Sequence, residues 1–550
     1  MQYPYKNLEN FTLPSLLNRS IQLFGKHDAL GWANQKAMTY DDLNQKVMAM
    51  VKLLQENGIS KGDKVVLLSQ NMPNWAVAYF GVTYFGAVIV PVLPDFHKAD
   101  VHHILRHSEA KAVIVSDEHL STIEEDNNSD IKFVIKLDTL EIIEELTHKS
   151  YISKLKEKIS SSTKGISTPD EDDIASLLYT SGTTGHSKGV MLSHKNLVTN
   201  ALSAFDNVIL TTDDITLSIL PLAHTFECTV GLTVPLIYGA HINYIDKAPT
   251  PSVLLKAFAS VRPTMMLTVP LIIEKIYKNK VLAKLNSSFI TKNLYKIPYF
   301  RKLLNKVAGK KLMETFGGRM RFFGIGGAPL SNYVAQFLYE AEFPYIIGYG
   351  LTETAPMLTG GTVVHERAKL YSAGKPMHGV ELKIVDGEIY AKSPSIMMGY
   401  YKDKEQTAEV MDGKWFLTGD LGYIDDDGYL FISGRSKNVI IGSGGENIYP
   451  EQIEATINQN EAVLDSLMMM QNGKLIARVH LDYELIDEKF NANKNSDAQV
   501  RKDIAEFLET MRIDVNSKIS SYSKMVKFVE QIEPFVKTPT KKIKRYLYAE

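Results

Sequence analysis

The chain has 550 residues, a formal net charge of -2, 45% hydrophobic and 23% charged residues. These are values of a globular protein too long for one compact core, so at least two domains are expected, and the near-neutral balance gives no reason to expect nucleic acid as a partner. The single cysteine, Cys228, excludes an intramolecular disulfide and a cysteine-built metal site; it fits a reducing cytoplasm, with the thiol expected as a small buried apolar group.

Residues 1–7 are polar and lack the apolar stretch of a secretory signal, so export is not expected. From Asp41, the positions Leu43, Val47, Met50, Val51 and Leu54 recur at helical spacing, with Gly58 where a stop belongs. Lys64 to Ser69 reads as a strand. Trp75 to Pro94 carries no charge and imitates a membrane span, but Gly81, Gly86, Pro91 and Pro94 divide it into a buried helix and a β-branched strand around 87–90. Ala112 to Val115 and Phe133 to Ile135 read as further strands. Alternation of this kind predicts a parallel sheet with helices on its faces. Ser160 to Asp173 is polar and reads as a surface connector.

That connector leads into Leu177-Leu178-Tyr179-Thr180-Ser181-Gly182-Thr183-Thr184-Gly185-His186-Ser187-Lys188-Gly189, followed by a second apolar run. Glycines let the backbone approach an anion and turn N–H groups toward it, hydroxyls add donors, and Lys188 adds a point charge, so the stretch suits a polyphosphate. A Walker-A loop needs glycine before the lysine and Ser or Thr after it; Ser187 and Gly189 stand there instead. An ordinary polar turn between strands is the bland alternative.

Lys275 to Met313 contains eleven Lys/Arg and no Asp or Glu, interleaved with Phe289, Tyr295, Tyr299, Phe300, Leu303 and Leu304. Such a segment suits contact with an anionic bilayer, and a solvated basic helical hairpin explains the same letters; its charge density excludes a spanning helix. Phe322 to Pro329 is a glycine cluster after a short strand, without the third glycine of a dinucleotide fingerprint. The next strand ends in Gly348-Tyr349-Gly350-Leu351-Thr352-Glu353-Thr354, and strand C-termini are where open α/β sheets bind ligands. After about Ser372, short strands and the turns Asp386-Gly387, Asp412-Gly413 and Asp427-Gly428 predict a small antiparallel sheet or barrel. Beyond Gly434-Arg435-Ser436-Lys437, a hairpin around Asn472-Gly473 and a helix through Val500, Ile504, Phe507, Leu508 and Met511 predict a compact α+β tail.

Taken together, these motifs resemble the adenylate-forming superfamily, and specifically its fatty acyl-CoA ligases. The resemblance runs in order through the phosphate loop, Leu220 to Glu227, Gly326 to Pro329, Tyr349 to Thr354, Trp415 to Asp420, Gly434 to Pro450, and Lys537 to Arg545. It implies an α/β fold with a large N-terminal domain over 1–434, made of layered parallel sheets and helices with a small antiparallel β-barrel near 372–434, and a small mobile α+β lid over 435–550. Two positions depart from the family pattern, Ser187 for a proline and Lys541 for a glycine.

The implied chemistry is activation of a fatty acid by ATP with Mg²⁺ and transfer to coenzyme A. An acyl carrier protein as thiol acceptor and an inactive nucleotide-binding regulator are the alternatives. The resemblance assigns Thr180, Ser181, Gly182, Thr183, Thr184, Gly185 and Lys188 to pyrophosphate, and Gly326, Gly327, Ala328, Pro329, Tyr349 and Gly350 to the adenine side. Thr352 falls to the α-phosphate, Glu353 to the metal, and Asp420 with Arg435 to the ribose. Lys437 falls at the hinge, and Gly444, Gly445 and Glu446 lie where pantetheine approaches. Lys542 is the catalytic cation, chosen over Lys541 by its spacing from Thr538 and to Arg545, and His224 with Phe226 borders the carboxylate and acyl entrance. Acyl length, the physiological pathway and the oligomeric state stay open.

Overall fold

The computed structural model describes residues 8–124, 130–143, 167–180, 187–206, 209–361, 369–442, 445–490, 496–539 and 541–548. The chain divides into two compact units: residues 1–330, 336–382 and 391–416 form one, and residues 331–335, 383–390 and 417–550 the other.

The first unit is built on two large sheets. One has the strand order Gly399–Tyr400, Lys188–Ser193, Ile174–Thr180, Val88–Val92, Lys64–Leu68, Ala110–Val115, Phe133–Lys136, Glu141–Ile142. Its central strands are parallel, and its edge pairs are antiparallel. The second sheet runs Tyr345–Ile347, Phe322–Ile325, Met265–Thr268, Ile215–Ser218, His241–Tyr244, Asp28–Trp32, Met38–Thr39, parallel except at its last strand. Strand Lys64–Leu68 shows why no alternation is visible in the letters. Val65 and Leu67 enter one core and Val66 and Leu68 another, so both faces are buried and every position after Lys64 is apolar.

The larger core joins faces of both sheets to helices Leu13–Phe24, Tyr40–Glu56 and Pro73–Thr83. Helix Tyr40–Glu56 begins at a capping box. Thr39 Oγ1 accepts from the Asp42 N–H at 3.1 Å, and Asp42 Oδ2 accepts from the Thr39 N–H at 2.9 Å. Helix Pro73–Thr83 is buried all round, which accounts for the uncharged stretch that imitates a membrane span. A Cβ on its Gly81 would lie 2.4 Å from Met50 Cγ, so glycine lets the two helices close on one another. Among the described residues no helix is long and apolar enough to cross a membrane.

In the second unit, Asp420 to Ile424 of one strand pair with Leu430–Arg435 in an antiparallel hairpin. Farther on, Val463–Gln471, Lys474–Leu481 and Lys527–Glu530 form a three-stranded sheet covered by helices Pro450–Ile457 and Asp497–Lys518. The first two of these strands meet at Asn472-Gly473, whose φ angles of 50° and 71° are those of a type I′ turn.

Candidate functional site

Strands Ile174–Thr180 and Lys188–Ser193 are an antiparallel pair with Thr180 opposite Lys188. The loop between them closes at a strand end, so Thr180 and Lys188 stand at its two feet. Ser181, Gly182, Thr183, Thr184 and Gly185 lie outside the described residues. Lys188 Nζ sits 5.0 Å from the centroid of the Tyr400 ring, a cation–π distance. Tyr400, on the neighbouring edge strand opposite Val190, donates its phenol O–H to Glu353 Oε1 at 3.0 Å. One buried tyrosine thus carries a cation on its face and a carboxylate at its tip.

Glu353 lies in a single 3-10 turn, Thr352–Thr354. Its carbonyl accepts from the Met397 N–H at 2.8 Å. Behind the turn, Thr354 is fully buried and its hydroxyl accepts from the Leu351 N–H at 3.0 Å. Asn200 Nδ2 donates to the carbonyls of Thr354 and Met357 at 3.1 and 2.8 Å, and Asn200 Oδ1 accepts from the Met357 N–H at 3.1 Å. Thr352 and Glu353 are left half-buried on a braced turn. Tyr349 and Gly350 precede it on a short strand paired with Met357–Gly360. A Cβ on Gly350 would fall 1.8 Å from the Pro356 oxygen, so only glycine fits there.

Gly326 leaves strand Phe322–Ile325, and its N–H donates to the Thr268 carbonyl at 3.2 Å. The Phe226 ring lies against it, 3.0 Å from where a Cβ would stand. Gly327 follows with φ 82°, and Gly327, Ala328 and Pro329 are exposed. His224 Nδ1 accepts from the Phe226 N–H at 3.2 Å, which leaves Nε2 to bear the hydrogen of the neutral ring. The segment carrying it is held from a distance. Asn71 Oδ1 accepts from the Leu222 N–H at 2.8 Å, and Asn71 Nδ2 donates to the Leu220 carbonyl at 2.6 Å and to Ser218 Oγ at 3.0 Å.

Beside His224, Glu227 is 1% exposed. Its Oε1 accepts from Ser218 Oγ at 2.6 Å, while Oε2 has no hydrogen-bond partner among the described residues. Burial pushes this carboxyl from 4.5 up to about 8, against the downward pull of the Ser218 hydroxyl, so it is protonated at neutral pH. Because the folded state holds a proton that the unfolded state releases above about pH 4.5, this group lowers stability as pH rises from there towards 8. Glu227→Gln removes that slope. Thermal melts at pH 5 and 8 are expected to differ less in the variant than in the parent protein, and an unchanged pH slope is the contrary result.

In the second unit, Asp420 is 5% exposed and sits opposite Arg435 across the hairpin, with Oδ1 2.9 Å from Arg435 Nε. The backbone around it is pinned. The Gly419 N–H donates to Glu388 Oε1 at 2.9 Å, Thr418 Oγ1 donates to the Ile389 carbonyl at 2.7 Å, and Ser436 Oγ donates to the Gly419 carbonyl at 3.0 Å. Lys437 is exposed in the 3-10 turn Ser436–Asn438. Strands Ile440–Ile441 and Asn447–Ile448 pair and present Gly445, φ 86°, and exposed Glu446 at their tip. Gly444 lies outside the described residues.

Lys542 is exposed on a tight C-terminal turn. The Thr538 N–H donates to the Lys542 carbonyl at 2.7 Å, the Lys542 N–H donates to Thr538 Oγ1 at 3.1 Å, and Lys541 has φ 64°. The turn is anchored on both sides, by Lys537 Nζ on Asp465 at 2.7 and 2.8 Å and by Arg545 on the buried Glu454. Burial raises the Glu454 carboxyl against the coulombic pull and hydrogen bond of Arg545, whereas burial lowers the Arg545 guanidinium but the charge and hydrogen bond of Glu454 leave it raised.

Among the described residues no group of three or more His, Cys, Asp and Glu could hold a metal ion. A single carboxylate, Glu353, joined to Lys188 through Tyr400 instead fits Mg²⁺, a hard cation that takes its remaining ligands from phosphate and water. Tyr400→Phe is expected to raise the Mg²⁺ concentration for half-maximal activity about tenfold, the scale of one hydrogen bond to a charged group. A magnesium titration at saturating nucleotide measures it, and an unchanged curve would deny Tyr400 its part in orienting Glu353.

Tyr400, Asn71 and Asn200 carried no signal in the letters. Each is an isolated side chain whose partners lie about fifty or more residues away.

The family model for AMP-binding enzymes matches residues 17–401. The chain is 29% identical over 573 residues to "Long chain acyl-CoA synthetase 7, peroxisomal" of Arabidopsis thaliana, covering 92% of this chain and 79% of that protein. It is also 29% identical over 521 residues to "Long-chain-fatty-acid--CoA ligase heimdall" of Drosophila melanogaster, covering 84% and 74%. Among solved structures, the anthranilate CoA ligase AuaEII in complex with anthranoyl-AMP superposes with a TM-score of 0.76 at 22% identity, covering 100% of this chain and 98% of that one, a likeness of fold.

Proposed function

The chain belongs to the AMP-binding enzyme family, and on that premise we propose that it is an AMP-forming ligase that joins a long-chain fatty acid to coenzyme A. The observation that carries the reading is the joining of Lys188 and Glu353 through Tyr400: a cation and a metal-binding carboxylate are held on one rigid side chain, as a nucleotide triphosphate with Mg²⁺ requires. The two relatives named for long-chain acyl-CoA synthesis support the choice of acid.

A carboxylate cannot be attacked by a thiol directly, since oxide would have to leave. In the proposed first step a carboxylate oxygen attacks the α-phosphorus of ATP, the bond to the bridging oxygen breaks, and pyrophosphate departs with the electron pair. In the second step the thiol sulfur attacks the carbonyl carbon, the thiol proton is released, and AMP leaves. The protein's work is chiefly to hold the charges in line. Lys188 and the loop after Thr180 take the pyrophosphate end. Thr352 donates to the α-phosphate, Asp420 accepts from the ribose hydroxyls with Arg435 beside it, and Tyr349 offers a ring to adenine. Glu353 would hold Mg²⁺, which would supply positive charge near the departing pyrophosphate. Lys542 supplies the cation where charge is shared between carboxylate and phosphate. Pantetheine is assigned to Gly444, Gly445 and Glu446.

The test is pyrophosphate release from ATP and Mg²⁺ with fatty acids of graded length, each with and without coenzyme A. Release that depends on a long-chain acid and turns over with coenzyme A is expected. Turnover only with a pantetheinylated carrier protein would make that protein the acceptor, and no release with any acid would favour an inactive nucleotide-binding regulator.

A further inference from the structure

Helix Pro298–Thr315 packs on a narrow face that carries the polar Asn305. Its buried positions are Asn305, Gly309 and Leu312, while Tyr299, Leu303 and Val307, spaced four apart, are exposed. The inward face is locked. Arg301 makes a two-pronged contact with the 5%-exposed Glu340 at 2.7 to 3.2 Å, Asn305 Nδ2 donates to the same carboxylate at 2.8 Å, and Tyr295 O–H donates to Asn305 Oδ1 at 3.0 Å. A Cβ on Gly309 would stand 2.7 Å from Ala341 Cβ, so the helix is already seated as closely as it can be. The outward apolar residues therefore do not belong to a face that this packing has yet to bury.

The short helix Phe289–Leu294 adds Phe289, 83% exposed, and Ile290, 68% exposed, and Ile297 and Tyr299 follow at 47% and 74%. Exposed apolar surface on this scale, rimmed by charge, marks a contact surface. The segment's own charge is positive: residues 275–313 hold eleven Lys/Arg and no acid, Lys292, Lys296, Lys302, Lys306, Lys310 and Lys311 are all exposed, and of these Lys306 also pairs with the exposed Glu342 at 2.8 Å. Lysine is depleted where two proteins meet. At a bilayer the same lysines lay their stems on the apolar surface and reach lipid phosphate with their heads, while Phe, Ile and Leu enter the acyl boundary.

We propose that the surface formed by 289–311 docks the protein on an anionic phospholipid bilayer, with Phe289, Ile290, Ile297, Tyr299, Leu303 and Val307 inserted and the flanking lysines on phosphate. This is charge complementarity joined to apolar burial, the two signals that stable peripheral attachment needs. It does not depend on the chemistry proposed above, since docking requires neither ATP nor fatty acid.

Co-sedimentation of the full chain with phosphatidylcholine vesicles, and with the same vesicles doped with phosphatidylglycerol, tests it. Partition into the doped vesicles is expected to exceed that into neutral ones by on the order of tenfold and to weaken as salt is raised. Phe289→Ser/Tyr299→Ser/Leu303→Ser is expected to lose about tenfold or more in partition, and Lys302→Glu/Lys310→Glu to lose the preference for the anionic lipid. All five positions are exposed, so melting temperatures and turnover of a soluble acid should hold. Failure of the parent protein to sediment with either vesicle, or equal sedimentation of the triple variant, overturns the proposal. So does self-association without sedimentation that the triple variant abolishes, since the surface would then join two copies of the chain.

Discussion

Lys542→Ala is expected to lower the rate of acyl-adenylate formation by roughly two to three orders of magnitude, the scale of removing one preorganised charge from a developing anion. Thioester formation from supplied acyl-adenylate and coenzyme A should change far less, because its leaving group is already in place. The structure gives the neighbouring residue as control. Lys541 and Lys542 are both exposed, but Lys541 sits at φ 64° within the turn, and the turn is closed by hydrogen bonds through the Lys542 backbone. Those are main-chain bonds, so alanine at 542 keeps them. Lys541→Ala should leave adenylation within a few-fold. Single-turnover assays of both half-reactions measure the pair, and collapse in Lys541→Ala instead would move the catalytic cation by one residue.

Glu353→Gln is expected to cost about a hundredfold in turnover, as loss of the charge that holds Mg²⁺ on the phosphates, with half-saturation shifted to higher magnesium. The amide keeps an oxygen that can accept from Tyr400, and the main-chain bond from Met397 is untouched, so the fold of the turn should survive. This separates it from Tyr400→Phe, which leaves the carboxylate in place and loosens only its orientation. A magnesium curve for Glu353→Gln identical to that of the parent protein would remove Glu353 from the metal.

The parts of the fold legible in the letters are those with local causes. The Asn472-Gly473 turn declares itself because only residues tolerant of positive φ fit it. Leu43, Val47, Met50, Val51 and Leu54 recur at helical spacing because they lie on the buried face of helix Tyr40–Glu56, and helix Pro73–Thr83 is uncharged because every side of it is covered. The stretch from Thr180 to Lys188 reads as phosphate chemistry in the letters, and of it the structure describes the two strand ends, with Thr180 opposite Lys188.

What the letters did not disclose depends on distant contacts. Tyr400 lies 212 residues from Lys188 and 47 from Glu353, and Gly-Tyr-Tyr is an unremarked sequence. Asn71 and Asn200 stand outside every motif in the letters, yet each braces a backbone about 150 residues away. Glu227, beside His224, looks like an ordinary acid until burial shows it to be protonated. In the letters, helix Pro298–Thr315 reads either as a bilayer-contacting or as a solvated basic element, and only the burial of Asn305, Gly309 and Leu312 reveals that Tyr299, Leu303 and Val307 face out.

The most direct measurement of the central claim follows oxygen. With a long-chain fatty acid labelled with ¹⁸O in its carboxylate, attack on the α-phosphorus makes that carboxylate oxygen the bridge of the adenylate, and attack by the thiol at the carbonyl carbon leaves it on AMP. Mass spectrometry of the products is expected to find one ¹⁸O in AMP and none in pyrophosphate. Label in inorganic phosphate alongside ADP, or unlabelled AMP formed together with thioester, would contradict activation through an acyl-adenylate.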